Sequence, residues 1–397
     1  MLLLALVCQG ALAVCAATAS RWTEAQRDSL RSEMGTFAFA IALAFVLGFA
    51  AHRASICTVR AVAEVMSARS GSIFLSIGKT MLWVWALVIP VLAFMPAAGI
   101  GLAGWSLTGT AILGGFLFGM GAAMNGGCAY STMARFVDGD GKMLATIIGF
   151  AVGVFCFATL AKWRWLTQRA PAPALVGSLF AGSWGRVWAG ALACAFVAWS
   201  LYEILRLWRT RPGDKRLIEL ILAPRYRLST AAALVGLPGA LLFLIYGPIS
   251  YTATFELIVQ GALGTQGWPS AMRTILLLAV MAGMLTSTLQ RGTFRFDWRP
   301  RFSWLLNLSA GAFMGLGTAL APGGNDALLL YGIPILSPYA APTFTALTLG
   351  VALGLVAMRR WFGIQARVKC QNDIFINDSW SRPISIGEAL PRHMAPP

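Results

Sequence analysis

Charge is scarce in this sequence. Only 12% of its 397 residues are Asp, Glu, Lys or Arg, about half the share of an ordinary soluble domain. Histidine is scarcer still, at two residues, and the seven cysteines form neither a CxxC pair nor a Cys/His zinc spacing. No G-x-x-x-x-G-K-[ST] loop is present, so nothing marks the use of ATP. No regular alternation of apolar and polar residues suggests a membrane β-barrel. These absences exclude a soluble globular domain, a zinc module and a dithiol oxidoreductase. An enzyme is not expected, because no His, paired carboxylate or CxxC accompanies any thiol in the sequence to activate it.

Apolar residues dominate instead, at 58% of the chain. They gather in runs near 36–52, 72–95, 109–124, 142–161, 184–205, 230–248, 270–289, 304–320 and 340–358, most of them long enough to span or nearly span a bilayer. With the first 20 residues, read as an extra helix or a signal-like segment, the pattern predicts an all-α polytopic membrane protein of nine or ten transmembrane or re-entrant helices. The net charge of +16 comes from short clusters between these runs. One cluster, Arg206 to Arg227, holds seven basic residues against Asp214 and Glu219. Basic loops of this kind mark the cytoplasmic side, so nucleic acid is not an expected partner and the C-terminus is expected inside. Residues 1–34 are then an N-terminal helix and polar link, 35–205 a first half, 206–229 a basic loop, 230–358 a second half and 359–397 a polar tail.

The two halves resemble each other. Aligned without gaps, "GFAAHRASICTVR" (Gly48 to Arg60) meets "GMLTSTLQRGTFR" (Gly283 to Arg295), with Cys57 falling on Gly292. With one insertion, "GGFLFGMGAAMNGGC" (Gly114 to Cys128) meets "AGAFMGLGTALAPGGN" (Ala310 to Asn325), with Cys128 falling on Asn325. The architecture is therefore expected to be internally duplicated, a design that places transporter substrate sites between repeats.

Each glycine-rich run carries a small-x-x-x-small pair, Gly115/Gly119 or Gly311/Gly315, suited to close helix packing. A Gly pair follows, Gly126–Gly127 or Gly323–Gly324, suited to ending a helix. Ser131 or Thr132 and Asn325 or Asp326 are then expected to cap short second helices, with Thr132 and Asp326 as structural caps. Unwound backbone at membrane depth must be buried in protein or line a cavity. Helix N-termini facing such a cavity suit an anion, and a thiol adds a soft, weakly donating contact. Cys57, Cys128, Gly126, Gly127, Ser131, Gly323, Gly324 and Asn325 are the candidate substrate contacts, with Tyr130 on the path. Cys8, Cys15, Cys156 and Cys194 read as buried apolar residues and Cys370 as an incidental thiol. Arg60 and Arg295 read as membrane-edge anchors, and Arg135 either anchors the edge or faces the anion. No metal or cofactor is called for.

Three motifs, "HRASICTVRAVAEV", "GGFLFGMGAAMNGGCAYSTMARF" and "MGLGTALAPGGNDALLLYGIP", resemble the YeeE/YedE family of sulfur-transport membrane proteins. The likeness runs from about Gly35 to Met358. It implies a bacterial inner-membrane location, an inverted repeat and uptake of thiosulfate or a similar sulfur anion relayed past cysteines, two of which match Cys57 and Cys128. Asn325 stands where thiosulfate-uptake members carry a further thiol. That departure leaves room for a different sulfur anion, or for a membrane receptor working with a soluble regulatory protein. A separate soluble sulfur carrier is a further expected partner.

Overall fold

The computed structural model describes residues 24–54, 56–94, 103–162, 171–175, 179–180, 182–210, 219, 222–299, 303–371 and 373–381. The N-terminal apolar segment, with Cys8 and Cys15, lies outside them. The protein is an all-α polytopic membrane protein: eight helices among the described residues are long and apolar enough to cross a bilayer, or nine with one bent pair taken as a single span. Residues up to Ala42 and those from Leu43 onward form two separate compact units, and the following concerns the second.

The helices are α1 (Glu24–Ala54), α2 (Thr58–Ala68), α3 (Ser72–Phe94), α4 (Gly109–Asn125), α5 (Ala129–Val137), α6 (Lys142–Lys162), α7 (Gly182–Arg209), α8 (Leu228–Tyr246), α9 (Tyr251–Ala262), α10 (Ala271–Arg291), α11 (Ser303–Leu320), the short α12 (Asn325–Ala327), which runs into a π-helical turn at Leu328–Gly332, and α13 (Ala340–Phe362). Each of the nine apolar runs read from the sequence is a helix. Two short hairpins complete the fold, β1 (Ala103–Trp105) with β2 (Pro171–Pro173), and β3 (Gln365–Gln371) with β4 (Ile374–Ser381).

Glycine sets how closely these helices approach. A β-carbon added at Gly119 would stand 2.1 Å from the Leu347 carbonyl oxygen of α13, and one at Gly115 2.4 Å from that of Thr343. In the other half, Gly311 and Gly315 of α11 meet the Thr146 and Phe150 carbonyls of α6, each at 2.0 Å. Each half thus lays its glycine helix against the long helix that follows the glycine break of the other, α13 for α4 and α6 for α11. Gly114 and Gly317 face each other in the same reciprocal way, a β-carbon on either falling 2.7 or 2.6 Å from the other's carbonyl. Gly48 meets Val280 and Gly283 meets Phe45, both at 2.0 Å.

The alignment of Cys57 with Gly292 requires correction. Gly292 takes a left-handed conformation (φ 62°) and ends α10 before a loop, whereas Cys57 begins the short helix α2. The likeness of the two windows reflects the shared α1–α10 packing face, not a shared break. Helix α9 was not expected, because residues 250–270 read as a loop. Gly247 (φ 77°) and Pro248 stop α8, and the Ser250 hydroxyl accepts from Ala253 N–H at 3.2 Å to start α9. The G-P-x-S punctuation carried that signal.

On the face where α1 and α10 end, the loops after α5 and α10 interlock. Arg295 N–H donates to Asp138 O at 2.8 Å, and Asp297 N–H to Gly139 O at 3.1 Å. The Asp138 carboxylate accepts from Thr288 at 2.9 Å and Thr293 at 2.8 Å, and pairs with His52 at 3.2 Å. Burial opposes its ionisation, yet the His52, Thr293 and Thr288 bonds outweigh this and hold the carboxyl below its ordinary range. A depressed folded value means the stabilisation is complete above the unfolded value of about 4 and is lost as pH falls through the folded one. Asp138→Asn is therefore expected to lower the melting temperature of the detergent-solubilised protein at pH 7, and by progressively less as pH falls below about 4.

The first part of the expected polar tail is an ordered hairpin. Val368 and Phe375 are buried, Ser67 on α2 accepts from Val368 N–H at 3.2 Å, and Arg60 lies 5.1 Å over the Phe375 ring. Two apolar residues and one exposed helix end supply enough burial to order a short polar hairpin. Cys370 lies in this hairpin, and burial together with the Glu64 carboxylate pushes its thiol up to about 12. Cys156 and Cys194 are not buried. They are exposed on α6 and α7, and α7 presents Trp184, Trp188, Leu192 and Leu201 on the same open surface, as a lipid-facing helix would.

Candidate functional site

Four helix breaks define the centre of the second unit, and two carry the thiols. Helix α4 ends at Asn125, after which Gly126 turns left-handed (φ 73°) and donates to Ala123 O, while Gly127 donates to Ala122 O. Cys128 follows in extended conformation and holds the N-cap position of α5. Cys57 holds the same position on α2, also extended. Neither side chain makes a capping bond. Ser, Thr, Asp or Asn at these positions would normally take up a first-turn N–H; a thiol leaves those donors and the positive helix ends uncovered by their own cap residue. The two caps meet: Cys128 N–H points to Cys57 Sγ at 3.4 Å, and both residues are buried.

Thr132 is not the cap of α5, because the helix starts earlier, at Ala129. Its hydroxyl donates to Cys128 O at 3.1 Å and accepts from Asn125 Nδ2 at 2.8 Å. Ser131 sits beside Gly127, whose added β-carbon would stand 2.6 Å from the Ser131 Cβ. Arg135 resolves as an anchor, bound to Asp140 at 2.9 Å and to Asn125 O at 3.2 Å. Asn125 was missed in the sequence. Its side chain also donates to Gly127 O at 3.0 Å and accepts from Thr146 at 2.8 Å and Asn307 at 3.3 Å. One amide thereby ties the Cys128 break to α6 and α11. An asparagine ending an apolar run, just before Gly-Gly-Cys, was the available clue.

In the second half, Gly323 (φ 83°) turns the chain after α11, and Gly324, not Asn325 or Asp326, is the N-cap of α12. The reason is that both side chains are engaged elsewhere. Asn325 Oδ1 accepts from Thr58 Oγ1 at 2.9 Å, which joins this break to the residue after Cys57. The Asp326 carboxylate accepts from Ser250 at 2.7 Å, from the Thr252 hydroxyl and from Thr252 N–H at 3.4 Å. Thr252 Oγ1 in turn accepts from Gly324 N–H at 3.0 Å. Tyr130 packs on Tyr251 with ring centroids 4.5 Å apart, and Tyr331 OH donates to Ile249 O.

Two cavities reach this centre. An open vestibule of about 850 Å³ has Ser250, Gly323, Tyr331, Glu256 and Arg273 in its walls. A small cavity of about 40 Å³ lies between Thr58, Tyr130, Asn325 and Asp326. The latter holds roughly one water, so a larger anion passes only if the breaks move apart. Arg273 of the vestibule and Arg291 beside the interlocked loops sit at opposite ends of α10, about 27 Å apart at 1.5 Å per residue. Among the described residues, no group of three or more His, Cys, Asp and Glu side chains is placed to hold a metal ion.

A family model described as sulphur transport matches residues 53–353, a span that contains all four breaks. The chain belongs to the sulphur-transport family. A search of curated proteins returned no relative. Of the expected contacts, Cys57, Cys128, Gly127, Ser131 and Tyr130 lie together around the first two breaks. Asn325 joins them through Thr58, whereas Gly323 opens towards the vestibule.

Proposed function

We propose that this member of the family carries thiosulfate, or a closely related sulfur anion, across the bacterial cytoplasmic membrane, passing it by Cys57 and Cys128. The observation that carries the reading is the meeting of two helix N-termini whose cap side chains are thiols. Uncapped N–H groups and helix dipoles stabilise negative charge without a fixed cation, so the anion is held without being trapped. The thiols supply soft, weak contacts suited to the exposed sulfur of thiosulfate and poor for sulfate. The basic loops argue for the hairpin face and the C-terminus inside, with the vestibule outside. The reciprocal glycine contacts support two halves, about 35–205 and 230–358, related as an inverted repeat.

Radiolabelled thiosulfate is expected to enter liposomes containing the purified protein and to leave protein-free liposomes empty. Sulfate in excess should compete weakly. A second reading, a receptor that reports the anion to a soluble partner, draws support from the C-terminal hairpin, which packs on the helix that Cys57 begins. Binding of thiosulfate with no net entry would favour that receptor over the transporter. A soluble sulfur carrier docking on the same hairpin face fits either reading.

A further inference from the structure

We propose that Asp326 is the proton-coupling group of this protein, taking up one proton from the vestibule as the sulfur anion enters and releasing it on the far side. The inference rests on the transport reading above and adds its energy source. Asp326 is only 1% exposed and belongs to the bent span formed by Ser303–Leu320 and Asn325–Gly332. An ionisable side chain at membrane depth is costly to keep and marks ion or proton pathways by default. Its partners are neutral donors, the Ser250 and Thr252 hydroxyls and the Thr252 N–H. Such donors can hold the ionised form, and a hydroxyl can turn to accept from the protonated one.

Position supplies the second argument. Asp326 borders the small cavity, whereas its partner Ser250 borders the vestibule. The carboxyl is thus one hydroxyl away from open water and lies on the partition that the anion must cross. Tyr130 and Tyr251 each interact electrostatically with both Asp326 and Cys128. An anion at the thiols and an ionised Asp326 therefore share a poorly screened space, where like charges disfavour each other. Protonation of Asp326 removes that conflict. By linkage, the anion favours the proton and the proton favours the anion.

The balance is simple. A proton leaves vestibule water, bonds to a carboxylate oxygen of Asp326, and returns to water beyond the thiols once the anion has passed; nothing is oxidised or reduced. The titratable groups around Asp326 are Tyr130 on α5, Tyr251 on α9, Tyr331 after α12, and the thiols of Cys57 and Cys128. The vestibule adds Glu256 and Arg273. Tyrosine ordinarily titrates near 10, which leaves the Cys57 and Cys128 thiols and Glu256 as rival proton carriers, of which only Glu256 stands outside the anion's proposed contacts. Glu256 accepts from Gln260 at 2.9 Å one turn along α9.

The test uses the full-length protein in liposomes loaded with a pH-sensitive dye and given external radiolabelled thiosulfate. Label should enter and the lumen should acidify. Lowering the outside pH by one unit should raise the initial rate by up to about tenfold, the limit for one proton per anion. Asp326→Asn should still exchange labelled for unlabelled thiosulfate but lose both the acidification and the pH stimulation. Glu256→Gln should keep all three. Label entry without acidification in the native protein overturns the coupling alone, a result that stands even if Asp326→Asn fails to fold. Acidification surviving in Asp326→Asn, or lost only in Glu256→Gln, overturns the assignment to Asp326. No label entry in the native protein overturns the transport reading and this inference together.

Discussion

Cys57→Ser and Cys128→Ser each reduce thiosulfate uptake on the order of 100-fold, equivalent to about 2.7 kcal/mol of barrier, while leaving the protein as stable as before or slightly more so. The two halves of this expectation share one cause. Serine is among the best N-cap residues, and its hydroxyl would bond to a first-turn N–H of α2 or α5, for about 1 kcal/mol of stability. Neither thiol makes a capping hydrogen bond to those N–H groups in the native protein, although the Cys128 sulfur faces those of Tyr130 and Ser131. Capping them withdraws them from the anion, and exchanging sulfur for oxygen removes the soft contact. Uptake measured beside melting temperature separates this from simple damage. A variant that loses both uptake and stability would show that the thiol is only packed there. A variant that keeps native uptake would remove it from the path.

The second large effect is on assembly. Gly119→Ala and Gly315→Ala are each expected to destabilise the protein by about 3 kcal/mol, the upper part of the usual range for overpacking. The added methyl group would stand 2.1 Å from Leu347 O or 2.0 Å from Phe150 O. Both obstacles are helix backbone, which cannot rotate aside as a side chain can. The helices must separate, and the close approach that packs membrane helices together is lost. Gly190→Ala is the control, because a β-carbon there meets nothing within 4 Å. Size-exclusion profiles after brief heating should show early loss of the single peak in the first two variants and none in the third. Equal profiles for all three would show that the helix pairs can separate without cost.

Much of the fold was legible because a bilayer imposes a strong length and polarity rule on each span. Eight of the nine apolar runs were therefore found within a few residues of their observed ends; the first, 36–52, missed the polar opening turns of α1, which begins at Glu24. Short helices beside the breaks obey no such rule. Helix α9 begins with Tyr-Thr-Ala-Thr, carries Glu256 and spans only 12 residues, so it read as a loop. The hairpin at 365–381 was missed for a related reason. Its order comes from Val368 and Phe375 packing near α2, a contact made 301 residues apart at Ser67 and Val368.

The site was legible in its residues and less so in its roles. The pairs Gly126–Gly127 and Gly323–Gly324 were read as helix endings, and the first glycine of each is left-handed. Thr132 and Asp326 were read as caps and are not. A cap is decided by the residue at which the chain leaves extended geometry, and that depends on the whole break. What the sequence by itself determined was a polytopic helical protein with two glycine-marked interruptions and thiols at or near them. Those properties follow from local composition and spacing. Only the tertiary structure decided that Cys57 meets Cys128, that Asn325 reaches Thr58 and that Asp326 is held by Ser250 and Thr252. Each of these contacts joins residues more than 70 positions apart. The helix packing that brings them together is set by glycines touching backbone in the opposite half, where sequence order carries no record of proximity.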